Sequence, residues 1–157
     1  MTTSLNSKVT AKEVITPVVH VIRATITTAS AGFASIGTAI AFGALPNGAA
    51  VLGAAVWVYG AGFTGTTPTV SIGNAADAGG TAAAASYLAA QSLSAIAYLT
   101  AAPAASGAPV SAAANAAPID RVVTYTIGGT PTIPGAAGAT ADLFVWYVLP
   151  LKPATNP

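Results

Sequence analysis

From residue 29 to residue 63 the chain carries no charged side chain, and within that stretch residues 36–59 alternate as strands do. Large apolar residues fall on alternate positions at Ile36, Ile40 and Phe42. A two-residue period belongs to a strand, because successive side chains point to opposite faces. Pro46-Asn47-Gly48 then supplies turn chemistry, with a preset φ at proline and tolerance of positive φ at asparagine and glycine. Beyond the turn, Leu52, Val56 and Val58 share one face while Val51, Trp57 and Tyr59 share the other. Both faces are apolar. The segment therefore reads as a central hairpin buried by a second sheet, a neighbouring subunit, or both.

The same stretch has to be tested against a membrane. A spanning helix needs about 20 mainly apolar residues. Here the turn interrupts the run, glycines recur, and no Lys or Arg flanks its C-terminal side. A membrane hairpin is not expected.

Of the 157 residues, 54% are hydrophobic and only 6% charged, against the usual quarter. One domain is the natural expectation at this length. A lone soluble particle needs a charged coat, and five Lys/Arg with four Asp/Glu do not make one. The surface is expected to be hidden in an assembly. A net charge of +1 suggests neither nucleic acid nor an anionic lipid surface as partner. No cysteine is present, so no disulfide framework or thiolate chemistry is available. Residues 1–12 lack the apolar core of a signal peptide.

Taken in order, residues 1–16 form a polar arm with Lys8, Lys12 and Glu13. It reads either as a disordered terminus or as an extended arm lying across a neighbour. Residues 17–28, rich in Val, Ile and Thr, read as the first long strand. Residues 29–35 read as a loop. A short strand is expected at 69–72, and 81–90 is the one helix candidate, alanine-rich with Thr81 as its cap. Residues 93–100 alternate weakly. Residues 101–118 are biased to Ala, Pro, Ser and Gly and read as a long loop. Strands are expected at 121–127 and 141–149, and residues 151–157 as a tail. Many short strands with Gly and Pro turns argue for an all-β protein. The expected fold is a jelly-roll-like β-sandwich of about six to eight strands over residues 17–150, with at most one short helix.

Candidate chemistry is sparse. Residues 60–65 spell G-A-G-F-T-G, which matches a dinucleotide-binding pattern. That site also needs a helix opening at its third glycine, whereas Thr66, Thr67, Pro68 and another strand follow, so a loop is expected. His20 is the only histidine and sits among Val and Ile. A packed or interface imidazole suits it better than a catalytic base, and no G-x-S-x-G elbow accompanies it. Asp77, Asp120 and Asp142 lack metal-ligand spacing. Neither catalytic residues nor a cofactor or metal site are expected. Arg23 could pair with a carboxylate across strands or subunits, or lie on a solvated edge. Trp57, Tyr59, Trp146 and Tyr147 serve either core packing or subunit contacts. With Lys8 and Lys12, these five are the candidate interface residues.

The order of a strand, I-A-F-G-A-L-P-N-G-A-A-V-L-G-A-A-V-W-V, T-P-T-V-S-I-G-N-A-A-D, a small-residue segment, and T-Y-T-I-G-G-T-P-T-I-P-G-A-A-G-A-T-A-D-L-F-V-W-Y-V-L resembles small head proteins of tailed bacteriophages. These are the cement or decoration proteins of the capsid exterior. The resemblance spans residues 17–150 and lies in patterning, turns and composition. It implies a β-sandwich that binds where capsomers meet, often as a trimer, with the major capsid protein and its own copies as partners. It carries no catalytic residues. The arm and residues 101–118 would then contact the major capsid protein or a sister subunit. A phage tail or head-fibre protein, or a secreted β-sandwich binding module, are the competing readings.

Overall fold

β-Branched residues have few χ1 rotamers and pack well on a pleated surface. The computed structural model, which describes residues 18–46, 49–75, 83–100, 121–132 and 137–149, accordingly begins with a strand, β1, at Val19–Thr27. Seven more strands follow: β2 (Ala39–Leu45), β3 (Ala50–Gly60), β4 (Gly65–Asn74), β5 (Ala83–Ser92), β6 (Ala97–Thr100), β7 (Arg121–Pro131) and β8 (Ala139–Val148). One short helix, α1 (Ala31–Ala34), lies between β1 and β2.

The strands form two four-stranded sheets, ordered β1-β8-β3-β6 and β2-β7-β4-β5. Every strand pairing is antiparallel. Apart from β4 to β5, each connection carries the chain from one sheet to the other. This order is the double Greek key of a jelly roll. The all-β, jelly-roll-like sandwich with one short helix is thus the observed fold. Its core lies between the sheets, where Ile26, Val56, Val58, Ile72, Leu143 and Val145 are fully buried.

Two expectations are corrected. Residues 36–59 are not a hairpin: β2 pairs with β7, and β3 pairs with β6 and β8 in the opposite sheet. The Ala49 amide donates to the Pro46 carbonyl at 3.0 Å, closing the connection; Asn47 and Gly48 lie outside the described residues. Turn residues make the chain reverse, but burial decides which sheet receives the next strand. The helix expected at 81–90 is instead strand β5, while the helix lies in the stretch read as a loop. Alanine's helix preference is weak over so short a segment. Pairing with β4 lets Tyr87 and Leu88 bury their side chains. In α1, Phe33 is buried and stacks on Phe63 with ring centroids 4.9 Å apart.

A bulge in β3 also reverses part of the expected face assignment. Val51 pairs with Tyr147 and Gly53 with Trp146, leaving Leu52 as the extra residue. Such an insertion shifts the parity of everything before it. Val51 therefore joins Val56 and Val58 in the core, and Leu52 points outward with Trp57. Residues 60–65 run directly from β3 into β4, and no helix opens there. Gly62 is required at that crossing, because a Cβ would run into the Ser94 carbonyl. The arm, residues 101–118 and the tail lie outside the described residues, and no helix among those described is long and apolar enough to cross a membrane.

Candidate interaction face

The registers of β1, β8, β3 and β6 fix which outward side chains are neighbours. Val21, Trp146 and Gly53 form one row across the sheet. Arg23, Phe144, Ala55 and Thr100 form the next, followed by Thr25, Asp142, Trp57 and Tyr98. Thr27, Thr140 and Tyr59 complete the face. The Phe144 and Trp146 rings lie 5.8 Å apart at 9°, and those of Trp57 and Tyr59 lie 4.9 Å apart at 44°. Trp57 is 45% exposed, Tyr98 57%, Leu52 56%, and Val19 and Val21 each 51%. At one end of the face Val19, Leu52, Gly53, Ala54, Thr100 and Trp146 line an open groove of about 320 Å³.

A buried charge sits under this apolar surface. Asp142 is 1% exposed, an expensive position for a carboxylate unless it is paired and hydrogen-bonded. Arg23 donates to one carboxylate oxygen through Nη2 at 2.6 Å. Thr25 Oγ1 donates to the other at 2.6 Å, and the Tyr59 hydroxyl donates to it at 3.4 Å. The Arg23 guanidinium also lies 5.8 Å from the Phe144 ring centroid, within cation–π range. Its side chain remains 58% exposed, so it is the charged head that this face shows to solvent.

The opposite sheet presents another chemistry. Outward parity on β2, β4 and β7 brings Ala39, Ala41, Thr69, Ser71, Thr124 and Thr126 together, all small and many hydroxylated. The two outward faces thus differ: aromatic side chains stand on the β1-β8-β3-β6 sheet, whereas small side chains predominate on the other, where Val122 is the large exposed hydrophobic at 37% and Thr124 is buried.

Of the residues singled out from the sequence, Arg23, Trp57, Tyr59 and Trp146 share the outward face of the β1-β8-β3-β6 sheet. Tyr147 has the opposite parity; it stacks on His20 with centroids 5.2 Å apart and packs against the core. Lys8 and Lys12 lie outside the described residues. Leu52, Tyr98, Phe144, Val19 and Val21 belong to the face but were not picked out. Phe144 could have been found, because it lies two residues before Trp146 and must share its side. Among the described residues no three His, Cys, Asp or Glu side chains converge as a metal site would require. The arrangement offers no catalytic chemistry that the described side chains reveal; it is a broad solvent-exposed apolar surface beside one oriented cation, the kind of surface that burial against a macromolecule would dehydrate.

A scan against protein-family models and a search of curated proteins both return no match. Among solved structures, a chain in the capsid of Ralstonia phage GP4 superposes with a TM-score of 0.59 and 23% identity, covering 87% of this chain and 86% of that one. That likeness shows a shared fold. A chain in an acidic stable capsid structure of Helicobacter pylori bacteriophage KHP30 aligns at TM-score 0.46 and 16% identity, over 85% of this chain and 89% of that one. One in the cyanophage Pam1 capsid asymmetric unit aligns at 0.43 and 21%, over 95% and 98%.

Proposed function

We propose that this chain is a structural protein of a bacteriophage virion, without catalytic activity. In this reading it is a cement or decoration protein that binds the outside of the head and stabilises its lattice. Its partners are the major capsid protein and its own copies, assembled as a trimer. The observation that carries the reading is the outward face of the β1-β8-β3-β6 sheet, where, among the described residues, large apolar side chains stand in water around the exposed guanidinium of Arg23. Monomeric proteins seldom leave such a surface uncovered. A fold by itself names no function, but a fold shared with a chain in a phage capsid structure supports reading the chain as a virion structural protein.

The energetics suit a lattice-bound subunit. Each Å² of apolar surface removed from water contributes about 25 cal/mol. Association costs on the order of 4–15 kcal/mol in lost freedom and ordering, so a stable contact needs a large, well-fitted area. A specific interface commonly covers about 800 Å² per partner.

The test is direct. Purified chain is mixed with capsids assembled without it and sedimented. Saturable co-sedimentation, with capsids that resist heat or chelator better than bare ones, is the expected result. Free chain left in the supernatant at every concentration would refute the assignment, and binding to tails in place of heads would move the protein to a tail or fibre role.

A further inference from the structure

A sheet edge offers unpaired amides and carbonyls to any strand that passes, and natural sheets blunt their edges with bulges, short strands or inward charges. Three of the four edges here are blunted. β2 is irregular between Ala41 and Gly43, β5 breaks register twice against β4, and β6 has only four residues. β1 is different. It runs nine residues in unbroken register with β8, from Val19 opposite Val148 to Thr27 opposite Thr140. On its other side it has no strand partner among the described residues. Its core-facing His20, Ile22 and Ala24 are only half-buried, whereas Leu143 and Val145 on β8 are fully buried. The sandwich is one strand short at this edge.

We infer that residues 9–17 of a second copy add to the β1 edge as an antiparallel strand. The segment reads V-T-A-K-E-V-I-T-P, rich in β-branched residues and equal in length to β1. Setting Glu13 opposite Arg23 places a carboxylate beside a guanidinium that is 58% exposed. The same register aligns Ile15 with Val21, Ala11 with Thr25 and Val9 with Thr27 on the outward face. On the core side it lays Val14 against Ile22 and Thr16 against His20, supplying the missing cover. Lys12 falls beside Ala24, and its long stem carries the ammonium past the edge into water.

The donor must be another copy. In this register Pro17 pairs with Val19, leaving Val18 alone to make the turn within one chain. The tightest common hairpins need two residues, the first at positive φ, which proline's ring forbids. Strand addition between copies satisfies backbone hydrogen bonds on both partners and, being heterologous, builds a ring where the rotation between copies closes and an open chain of copies where it does not. This inference does not depend on the capsid reading, and the isolated chain tests it.

The absence of native cysteine allows a clean cross-linking experiment. Ile15→Cys and Val21→Cys chains are co-expressed, checked for the parental circular dichroism spectrum, and mildly oxidised. The inference predicts a covalent pair of one chain of each kind, and its loss when Val14→Cys replaces Ile15→Cys. A chain carrying both Ile15→Cys and Val21→Cys should give a ladder of covalent multimers. No cross-link between the co-expressed chains, or a cross-linked monomer from the double variant, would overturn it. A second measurement leaves every side chain from Val18 onward intact: deleting residues 1–17 should reduce the mass seen by light scattering to that of one chain. A full-length chain that is already monomeric, or a deletion that leaves the multimer unchanged, would contradict the inference.

Discussion

Asp142 is the residue on which the outward face is oriented. Its carboxylate collects Arg23, Thr25 and Tyr59, groups drawn from β1 and β3, and so ties the edge strand β1 to the two central strands β8 and β3. Hydrogen bonds to an ionised group contribute about 1.5–3 kcal/mol, more than neutral ones. Asp142→Asn keeps the size but removes the charge and turns one acceptor into a donor facing Arg23. We expect a loss of about 2 kcal/mol, read as a lower denaturant midpoint at unchanged slope. An unchanged midpoint would show that the cluster is ornamental. In the sequence, Asp142 is only one of three acids without metal-ligand spacing, and Arg23 a cation that could pair with some carboxylate across strands or subunits or lie on a solvated edge. Their pairing could not be read, because 119 residues separate them and only the β1–β8 register brings them together.

At the scale of elements, period two was legible wherever a strand had one uninterrupted pattern. β1, β7 and β8 were placed within a few residues for that reason. Two kinds of element escaped. β5 is built of alanines, whose side chains are too small to show a period, so propensity pointed to a helix and sheet pairing overruled it. β3 carries a bulge, which no local pattern announces, and it exchanges the roles of Val51 and Leu52. The two residues offer a test of the bulge itself. Val51→Ala should cost about 1–3 kcal/mol as a buried truncation, whereas Leu52→Ala should stay within about 0.5 kcal/mol. Equilibrium unfolding of both variants decides it, and the reverse ranking would mean that the register is the unbulged one.

For the whole molecule, the jelly-roll class was legible from strand count and turns, but the pairing of strands was not. A chain with 6% charged residues announces that its surface has to be covered, without saying where. Among the described residues the exposed aromatic side chains stand on one sheet, on β3 and β6, while the other sheet exposes mainly small side chains and Val122. That asymmetry is why the proposed contact with the capsid is assigned to the β1-β8-β3-β6 face.

The measurement that tests this claim most directly is capsid binding by the Trp57→Ala, Tyr98→Ala double variant beside a Ser71→Ala variant of the opposite sheet. Both tested aromatic side chains are exposed, so the fold should survive their removal, and far-UV circular dichroism checks that it does. Truncating two interface anchors should weaken binding by about 100-fold or more, while the Ser71 change should leave it within about twofold. Undiminished binding by the aromatic variant, or a loss confined to the Ser71 variant, would contradict the account.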